Sequence, residues 1–216
     1  MLEIAYPKLQ KIIDESNRIV FFGGAGVSTE SGLPDFRSQD GLYKQTYPYP
    51  SEIMLSHSFY VTHMEEFYKF YKAKLLYPEV KPNAAHDALA RMEEAGKLLA
   101  VVTQNIDGLH QMAGSRTVYE LHGTAHRNTC TKCKQVFPME TIVNSEVIPH
   151  CQCGGIIKPN VVLYEESLNQ EVLAEAVSAI STADTLIVGG TSLNVYPASG
   201  LINYFKGTHL VLINRA

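Results

Sequence analysis

The chain has 216 residues, of which 45% are apolar and 19% charged, and its formal net charge is −4. This length and composition predict one large globular domain, or one domain that carries a small module. The charge balance suggests no basic face for phosphate groups, so nucleic acid is not an expected partner. No apolar run approaches the length of a membrane span, so a membrane is not expected as a partner either.

Residues 1–16 carry apolar side chains at helical spacing, which predicts an amphipathic helix rather than a signal peptide. All 4 cysteines fall within residues 130–153, so none can cross-link the rest of the chain. A secreted protein stabilised by disulfides distributes its cysteines differently. We therefore expect a cytoplasmic protein.

Four apolar, β-branched runs predict strands: RIVFFGG, LLAVVTQ, TLIVGGT and HLVLIN. Helical patterns lie between them, in PNAAHDALARMEEAGK, where Gly96 is placed to end the helix, and in LNQEVLAEAVSAISTA. Strands that alternate with helices predict an α/β fold with a Rossmann-like, doubly wound parallel sheet. Ligands of such sheets bind beyond the carboxyl ends of the strands.

Two stretches interrupt this alternation. Residues 48–77 are rich in aromatic side chains and largely helical in pattern, and residues 129–157 contain the cysteines. We expect the two stretches to form a smaller inserted domain beside the sheet, with a cleft between the domains.

The cysteines form a CxxC pair and a CxC pair, contributed by Cys130, Cys133, Cys151 and Cys153. Two close pairs on a short ribbon suit the tetrahedral four-thiolate geometry of structural zinc. Surface disulfides or chance buried thiols are the alternative. A catalytic metal would need an open position and a histidine or carboxylate ligand; His150 is adjacent to Cys151, but four thiolates already complete the shell.

The turn after the first predicted strand reads VFFGGAGVSTESGLPDFRS. It begins like a dinucleotide site with Gly24 and Gly26, but Thr29 stands where the Rossmann fingerprint has its third glycine. The turn GGTSLNVYPASG after the third predicted strand offers Thr191 and Ser192 for phosphate or ribose contacts. The two turns place two phosphate-binding candidates at one edge of the sheet.

The turn TQNIDGLH follows the second predicted strand. Gln104, Asn105 and Asp107 predict recognition of a carboxamide and a ribose, because an amide needs a paired donor and acceptor. A helix cap would explain Asn105 or Asp107 alone. In ELHGTAH, the pKa range of His122 suits proton abstraction from a sugar hydroxyl, and a purely structural role is equally compatible with its spacing.

These motifs resemble those of the sirtuins, the NAD-dependent protein lysine deacylases. GAGVSTESGLPDFR, TQNIDGLH, ELHGT, the cysteine pairs, GGTSLNVYPA and LVLIN occur in the sirtuin order over nearly the whole chain. The segment VVLYEE resembles the form found in an undifferentiated bacterial group. The resemblance implies one catalytic domain over residues 1–216. Its large NAD-binding subdomain would comprise about 1–47, 78–125 and 158–216, and its small one 48–77, which is helical, and 126–157, a zinc ribbon.

The resemblance also assigns roles in binding NAD. Gly24, Ala25 and Gly26 would approach the pyrophosphate, with Thr29 nearby. Phe36 would shield the reacting sugar carbon and Arg37 would line the same pocket. The remaining contacts would be made to the nicotinamide carboxamide by Asn105, Ile106 and Asp107, to its ribose by Gln104, and to the adenosine ribose by Ser192 and Asn214. Thr191 remains a further cofactor-binding candidate.

The resemblance implies catalysis by His122 and Asn105. The acyl-lysine carbonyl oxygen would attack the sugar and expel nicotinamide, and His122 would act as general base on the nicotinamide ribose. The products would be free lysine, nicotinamide and O-acyl-ADP-ribose, with NAD consumed as co-substrate and one zinc ion as a structural element. A shaped pocket with little water suits the cation that develops on the sugar.

The substrate peptide would lie as an extended strand against Val161, Val162, Leu163 and Tyr164, paired through main-chain hydrogen bonds. Sirtuins that prefer succinyl and malonyl groups carry a Tyr-x-x-Arg pair, whereas this chain has Tyr68 and Tyr71. Without the arginine a buried carboxylate would be costly, so we expect acetyl and other neutral acyl groups.

Three features depart from the family pattern. Leu33 replaces a common isoleucine. Tyr164 and Glu165 stand where Phe and Gly are frequent, which affects how the peptide pairs. Sirtuins usually continue past the last strand, and a chain that stopped at Ala216 would be expected to bind NAD weakly.

Three rival functions stay open at this point. An ADP-ribosyltransferase would cleave NAD in the same way but pass the sugar to a protein nucleophile. A non-catalytic NAD-binding module would use His122 only structurally. A zinc-ribbon interaction protein would leave the three turns unexplained. We expect the protein to act as a monomer on acyl-lysine proteins.

Overall fold

The structure, a computed structural model, describes residues 2–36, 41–42 and 47–214, and of residues 2–6 the backbone alone. Its larger layer is a five-stranded parallel sheet with the strand order β3-β2-β1-β7-β8. The strands of this sheet are β1 (Ile19–Gly23), β2 (Leu98–Thr103), β3 (Val118–Glu120), β7 (Thr185–Gly189) and β8 (His209–Ile213). The four predicted strands are confirmed, and β3 is an addition.

The central strands are buried on both faces, which explains their continuous apolar sequence. Every residue of β1 and of β7 is buried, and Ile19, Val20 and Phe22 have no exposed surface. Helices cover both faces of such a sheet, so neither face needs polar side chains. β8 lies at the edge, where Leu210 and Leu212 are largely exposed.

Helices flank the parallel sheet and connect its strands. They are α1 (Leu2–Glu15), α5 (Ala84–Glu94), α6 (Leu109–Met112), α8 (Gln170–Thr182) and two 3₁₀ helices, Ala25–Ser31 and Ala198–Tyr204. Asn83 and His86 form a capping box at the start of α5, and Gly96, with φ 73°, follows its end as predicted. The side chain of Asn169 caps α8 by accepting from the amides of Glu171 and Val172.

The smaller layer combines an antiparallel sheet of order β5-β4-β6 with short helices. Its elements are α2 (Ser51–Met54), α3 (His57–Thr62), α4 (Met64–Leu75), β4 (Gly123–Cys130), β5 (Val136–Phe137), α7 (Met139–Val143) and β6 (Ile157–Val161). One core joins the helices to this sheet, and Phe67, Tyr68 and Tyr71 at its centre are fully buried. A doubly wound parallel sheet beside a smaller cysteine-bearing module is the predicted fold class, which is confirmed.

The strand order places the turns after β1, β2 and β7 side by side. β1 pairs in parallel with β2 on one side and with β7 on the other, so successive strands are added outward in opposite directions on the two sides of β1, and the strand order switches between β1 and β7. A crevice at the carboxyl ends forms at such a switch point. In the part of the chain that the structure describes, no helix combines the length and apolarity that a bilayer crossing requires.

Candidate active site

The two glycine turns pack directly against each other at the switch point between β1 and β7. The amide of Gly24 donates to the carbonyl of Gly189 over 3.2 Å, and that of Gly26 donates to Gly190 over 2.8 Å. A Cβ atom on Gly24 would lie 2.7 Å from Cβ of Thr191, and one on Gly26 would lie 2.8 Å from Cα of Gly190. Glycine is therefore required at both positions for contact between the turns, because any side chain would separate them.

After Gly24 the chain enters the Ala25–Ser31 3₁₀ helix rather than an α-helix. The hydroxyl of Thr29, which is exposed, donates to the carbonyl of Gly26 over 3.0 Å. The side-chain amide of Asn83 donates to the carbonyl of Val27 over 2.8 Å and to the hydroxyl of Ser31 over 3.0 Å. The start of α5 thus holds the 3₁₀ helix in place.

Asn105 and Asp107 form a network with Ser28, which sequence reasoning missed. The Ser28 hydroxyl donates to Oδ2 of Asp107 over 2.7 Å, and Nδ2 of Asn105 donates to Ser28 over 3.1 Å and to Asp107 over 3.2 Å. Oδ1 of Asp107 also accepts from the amide of Leu109, the first residue of α6, which is the kind of bond that the helix-cap alternative expected, although the N-cap position itself is held by Gly108. Ser28 is 1% exposed, and its burial is a tertiary property that no sequence signal announces.

Ile106 and Phe36 lie between the two layers. Both are partly buried and pack against the aromatic core of the smaller layer. The carbonyl of Ile106 accepts from the amide of Ala125 in β4 over 3.0 Å. Arg37, assigned to the same pocket, lies outside the described residues.

His122 follows β3 by two residues and is partly buried. Its Nδ1 lies 2.9 Å from the carbonyl oxygen of Gln104. Because a carbonyl only accepts, Nδ1 carries the proton and Nε2 of the neutral ring is a free base. Burial lowers the pKa of His122, and the bond to Gln104 offsets this only in part. The ring is therefore neutral near pH 7, as a general base must be.

The backbone beside His122 joins it to the predicted peptide-binding segment. The carbonyl of His122 accepts from the amide of Val162 over 2.9 Å, and Gly123 pairs with Val161 across β4 and β6. Gly123 has φ 72°, and a Cβ there would overlap the carbonyl oxygen of Asn160. The dipeptide His-Gly thus lets β6 approach the histidine closely.

The other residues assigned to the NAD ribose groups meet around Thr191. Nε2 of Gln104 donates to the Thr191 hydroxyl over 3.0 Å, and Nδ2 of Asn214 donates to the Thr191 carbonyl over 3.2 Å. Thr191 is buried, whereas Ser192 and Asn214 are exposed at the carboxyl edge of the sheet. The structure therefore brings the turns after β2, β7 and β8 into contact.

The tyrosines considered for acyl preference, Tyr68 and Tyr71, are both fully buried. The Tyr68 hydroxyl donates to the carbonyl of Ile157 over 2.8 Å. Burial raises the pKa of Tyr68 far above its usual range, with the neighbouring Tyr60 as the next contribution. Both phenols therefore stay uncharged.

The four cysteine sulfurs lie within 4.8 Å of one another, with Cys130 and Cys153 3.4 Å apart and Cys133 and Cys151 3.6 Å apart. A tetrahedral zinc with Zn–S bonds of about 2.3 Å requires sulfur separations of about 3.8 Å, so the thiols fit this metal. Cys130 and Cys151 are buried, and Cys130 is the last residue of β4, where it pairs with Ile157 of β6 at one end of the small antiparallel sheet. Four thiolates leave no open position, which makes the zinc structural.

A model of the Sir2 family matches residues 24–197 of this chain. An NAD-dependent protein deacetylase of Clostridium acetobutylicum is 61% identical over 213 residues, which are 97% of this chain and 87% of the relative. An NAD-dependent protein deacetylase of Cutibacterium acnes is 58% identical over 205 residues, which are 94% of this chain and 84% of the relative.

Among solved structures, that of a Sir2 variant with deacetylated p53 peptide and 3′-O-acetyl ADP ribose matches with a TM-score of 0.89. It is 40% identical, and the match covers 97% of this chain and 87% of the other. A Sir2 complex with p53 peptide and NAD⁺ matches with a TM-score of 0.82 at 41% identity, over 96% of this chain and 85% of the other. The similarity thus extends to both sequence and fold.

Proposed function

The chain belongs to the Sir2 family, and we propose that it removes acetyl groups from lysine side chains of proteins with NAD as co-substrate. One observation carries most of the proposal. His122 is bonded through its ring to Gln104 in the turn after β2, and through its carbonyl to Val162 beside β6. A single residue therefore joins the turn assigned to NAD and the segment assigned to the peptide.

NAD supplies the ADP-ribosyl group that takes over the acetyl group, with release of nicotinamide. Nε2 of His122 accepts a proton from a ribose hydroxyl, since Nδ1 is occupied by Gln104. Asn105 and Asp107, held by Ser28, present their remaining acceptor capacity to the nicotinamide carboxamide. The side chains of Ile106 and Phe36 exclude water from the reacting sugar.

The remaining residues are assigned to the phosphate groups of NAD, to its ribose groups or to the peptide. The turn of Gly24, Ala25 and Gly26, with Thr29 and Arg37, binds the phosphate side of NAD, and Gln104, Thr191, Ser192 and Asn214 bind its ribose groups. The acyl-lysine peptide pairs with the segment from Val161 to Tyr164. Residues 1–47, 78–125 and 158–216 form the NAD-binding subdomain, and residues 48–77 and 126–157 form the small one.

Neutral acyl groups are the preferred substrates, and acetyl is the first to test. Tyr71 stands where a carboxylate-binding arginine would be, and its hydroxyl is buried and uncharged. A succinyl carboxylate bound there would lose its hydration without gaining a cation. We also propose that the protein acts as a monomer in the cytoplasm, with neither nucleic acid nor a membrane as partner. The net charge of −4 supports the part of this proposal that concerns nucleic acid.

Mass spectrometry of an acetyl-lysine peptide incubated with the protein tests the function. With NAD, we expect loss of the acetyl group and appearance of O-acetyl-ADP-ribose, and neither product without NAD. His122→Ala removes the base and should slow the reaction by about 10²- to 10⁴-fold. A succinyl-lysine peptide, treated in parallel, should react far more slowly.

Two of the three rival functions, the two that involve NAD, predict different results in this experiment. ADP-ribose attached to protein, with the peptide still acetylated, would indicate an ADP-ribosyltransferase. Binding of NAD without turnover, unaffected by His122→Ala, would indicate a non-catalytic module. Either result would overturn the proposal.

A further inference from the structure

The segment Leu163–Glu166 leaves β6 and pairs with the start of the helical module. The amide of Tyr164 donates to the carbonyl of Leu55 over 3.0 Å, and the amide of His57 donates to the carbonyl of Tyr164 over 3.0 Å. These bonds form a parallel bridge between Ser56 and Tyr164. The backbone of the proposed peptide-binding segment is thus fixed on one side by the residues that begin α3.

Glu165 has a backbone conformation that is unfavourable for a residue with a Cβ atom. Its φ is 75°, in the left-handed region that glycine adopts readily. In this conformation its carboxylate reaches the first turn of α3, where Oε2 accepts from the amide of Ser58 over 2.9 Å and from its hydroxyl over 2.6 Å. The Ser58 hydroxyl and amide hold the pKa of the Glu165 carboxyl below its usual range, so both bonds are made to the charged form.

Glu166 contacts His57, which precedes Ser58 in α3. Its Oε1 lies 2.9 Å from Nδ1 of His57 and 3.1 Å from Nζ of Lys158. Its Oε2 accepts from the amide of Leu163 over 3.0 Å and from Nζ of Lys158 over 3.2 Å. Two consecutive glutamates therefore hold two consecutive residues of α3.

Three amides of the proposed peptide-binding segment are already engaged within the chain. The amide of Val162 donates to His122, that of Leu163 to Glu166, and that of Tyr164 to Leu55. The carbonyls of Leu163 and Tyr164 also accept within the chain, from the amides of Glu166 and His57. We therefore expect a peptide strand that adds at this edge to pair with other backbone groups, among them those of Glu165, the residue that follows the segment. Glu165 combines its left-handed φ with the two side-chain bonds to Ser58.

We propose that Glu165 is a positioning residue for the substrate peptide: its carboxylate, bonded to Ser58, holds the Val161–Tyr164 edge in the orientation that accepts the acyl-lysine strand. This proposal rests on the proposed function. The pair Glu165 and Ser58 is called the latch below. The latch acts on peptide binding and leaves the NAD turns, which lie on other elements, unaffected.

The test compares Glu165→Gly, Glu165→Gln and Ser58→Ala with the unaltered protein. Glu165→Gly relieves the backbone strain at this position but removes both bonds to Ser58. Ser58→Ala removes only the bond from the hydroxyl and keeps the bond from the backbone amide. Glu165→Gln keeps an oxygen acceptor without the charge. Glu79→Gly, which removes an exposed glutamate from another turn, is the matched control.

Steady-state kinetics then separate the KM for an acetyl-lysine peptide from the KM for NAD. We expect Glu165→Gly to raise the peptide KM by about three- to tenfold, the range of one net hydrogen bond. The NAD KM and kcat should change by less than about twofold, and Glu165→Gln should restore most of the peptide affinity. A peptide KM that is unchanged or lower in Glu165→Gly would overturn the proposal. An equal rise in Glu165→Gln would also overturn it, because long-range attraction between the Glu165 charge and the peptide would then be the cause.

Amide hydrogen exchange of the free protein measures the contact between Glu165 and Ser58 without relying on deacetylase activity. A failure of the proposed function and a failure of the latch can therefore be told apart. The Ser58 amide should exchange faster in Glu165→Gly than in the unaltered protein and in Glu79→Gly. Calorimetric binding of the acetyl-lysine peptide should weaken in parallel, even if the protein proved to have no deacetylase activity. Unchanged exchange at Ser58, or faster exchange with unchanged peptide binding, would contradict the latch.

Discussion

The chemistry proposed for this protein depends on which nitrogen of one imidazole carries the proton. The Gln104 carbonyl determines this, because it accepts the proton on Nδ1 of His122 and so leaves Nε2 as the base. Burial adds a second effect, since it disfavours the charged ring and lowers its pKa. Both effects favour the tautomer and charge state that proton abstraction needs.

The lowered pKa of His122 predicts the acid side of the pH profile. The base is active when neutral, and its pKa lies below the ordinary histidine value of about 6.5. The kcat/KM for deacetylation should therefore stay constant as pH falls to about 6.5, and then decrease about tenfold per pH unit below the lowered pKa. Rates measured between pH 5 and 9 with buffers of constant ionic strength test this. A decrease that begins above pH 7 would contradict a buried base, and NAD binding measured over the same range is the control.

The orientation of Asn105, which we propose binds the nicotinamide carboxamide, is fixed by Ser28 and Asp107. The Asn105 amide nitrogen is committed to Ser28 and Asp107, so its orientation is set before any ligand binds. Preorganised polar groups avoid reorganisation during the reaction. This arrangement requires Ser28, which belongs to the turn after β1, to be buried beside Asn105 and Asp107.

At the scale of elements, β4 and β6 meet at Gly123, and their contact sets the position of the histidine beside it. The pairing of Gly123 with Val161 lies next to the bond from Val162 to His122. The two strands approach closely here because Gly123 has no side chain to separate them. The position of the His122 side chain, the proposed general base, thus depends on the absence of a side chain at Gly123.

This contact predicts a difference between two glycines with the same backbone conformation. Gly123 has φ 72° and Gly96 has φ 73°, but a Cβ would meet the Asn160 carbonyl at the first and open space at the second. Gly96→Ala should cost about 1 kcal/mol of unfolding free energy from backbone strain. Gly123→Ala should cost about 2–4 kcal/mol, because overlap is added to the strain, and it should abolish deacetylation. Urea unfolding together with activity measurement tests this. Equal losses in the two variants would show that β6 can move away without cost.

At the scale of the molecule, two layers with separate hydrophobic cores both contribute residues to the proposed active site. The parallel sheet has cores on both faces, formed around Val20 and Phe22 on one face and around Ile19 and Phe21 on the other. The aromatic core of the smaller layer includes Cys130 and Cys151. The zinc site therefore belongs to the small core, whereas most of the NAD turns belong to the large sheet.

This separation predicts a local effect of zinc removal. One zinc ion per chain should be found by elemental analysis, and a strong chelator should remove it. The small sheet should then exchange its amide hydrogens rapidly, because a four-cysteine site contributes much of the folding free energy of such a module. Amides of β1 and β7 should stay protected, and deacetylation should be lost. Cys151→Ser should reproduce the effect without a chelator. Loss of protection throughout the parallel sheet, or none in the small one, would contradict the separation.

Local pattern was sufficient to predict much of the molecule. β1, β2 and β7 were predicted from continuous apolar runs, because strands buried on both faces exclude polar residues. β8 was predicted from the same kind of run, although it is an edge strand whose Leu210 and Leu212 are exposed. The end of α5 was readable because Gly96 adopts a conformation that other residues avoid. β3 was not predicted, since a strand of 3 residues has too little pattern. The 3₁₀ form of Ala25–Ser31 was not predicted either, because it depends on contacts with Gly190 and Asn83.

The sequence by itself determined the fold class, the zinc ligands and the candidate histidine, because each depends on residue types at short spacing. Only the tertiary structure decided which nitrogen of His122 is free, that Ser28 orients Asn105, and that Glu165 bonds to Ser58. Those contacts join residues 18, 77 and 107 positions apart in the chain. Residue types at short spacing do not reveal contacts between residues so far apart in the sequence, since these contacts form only when the chain folds and brings separate elements together.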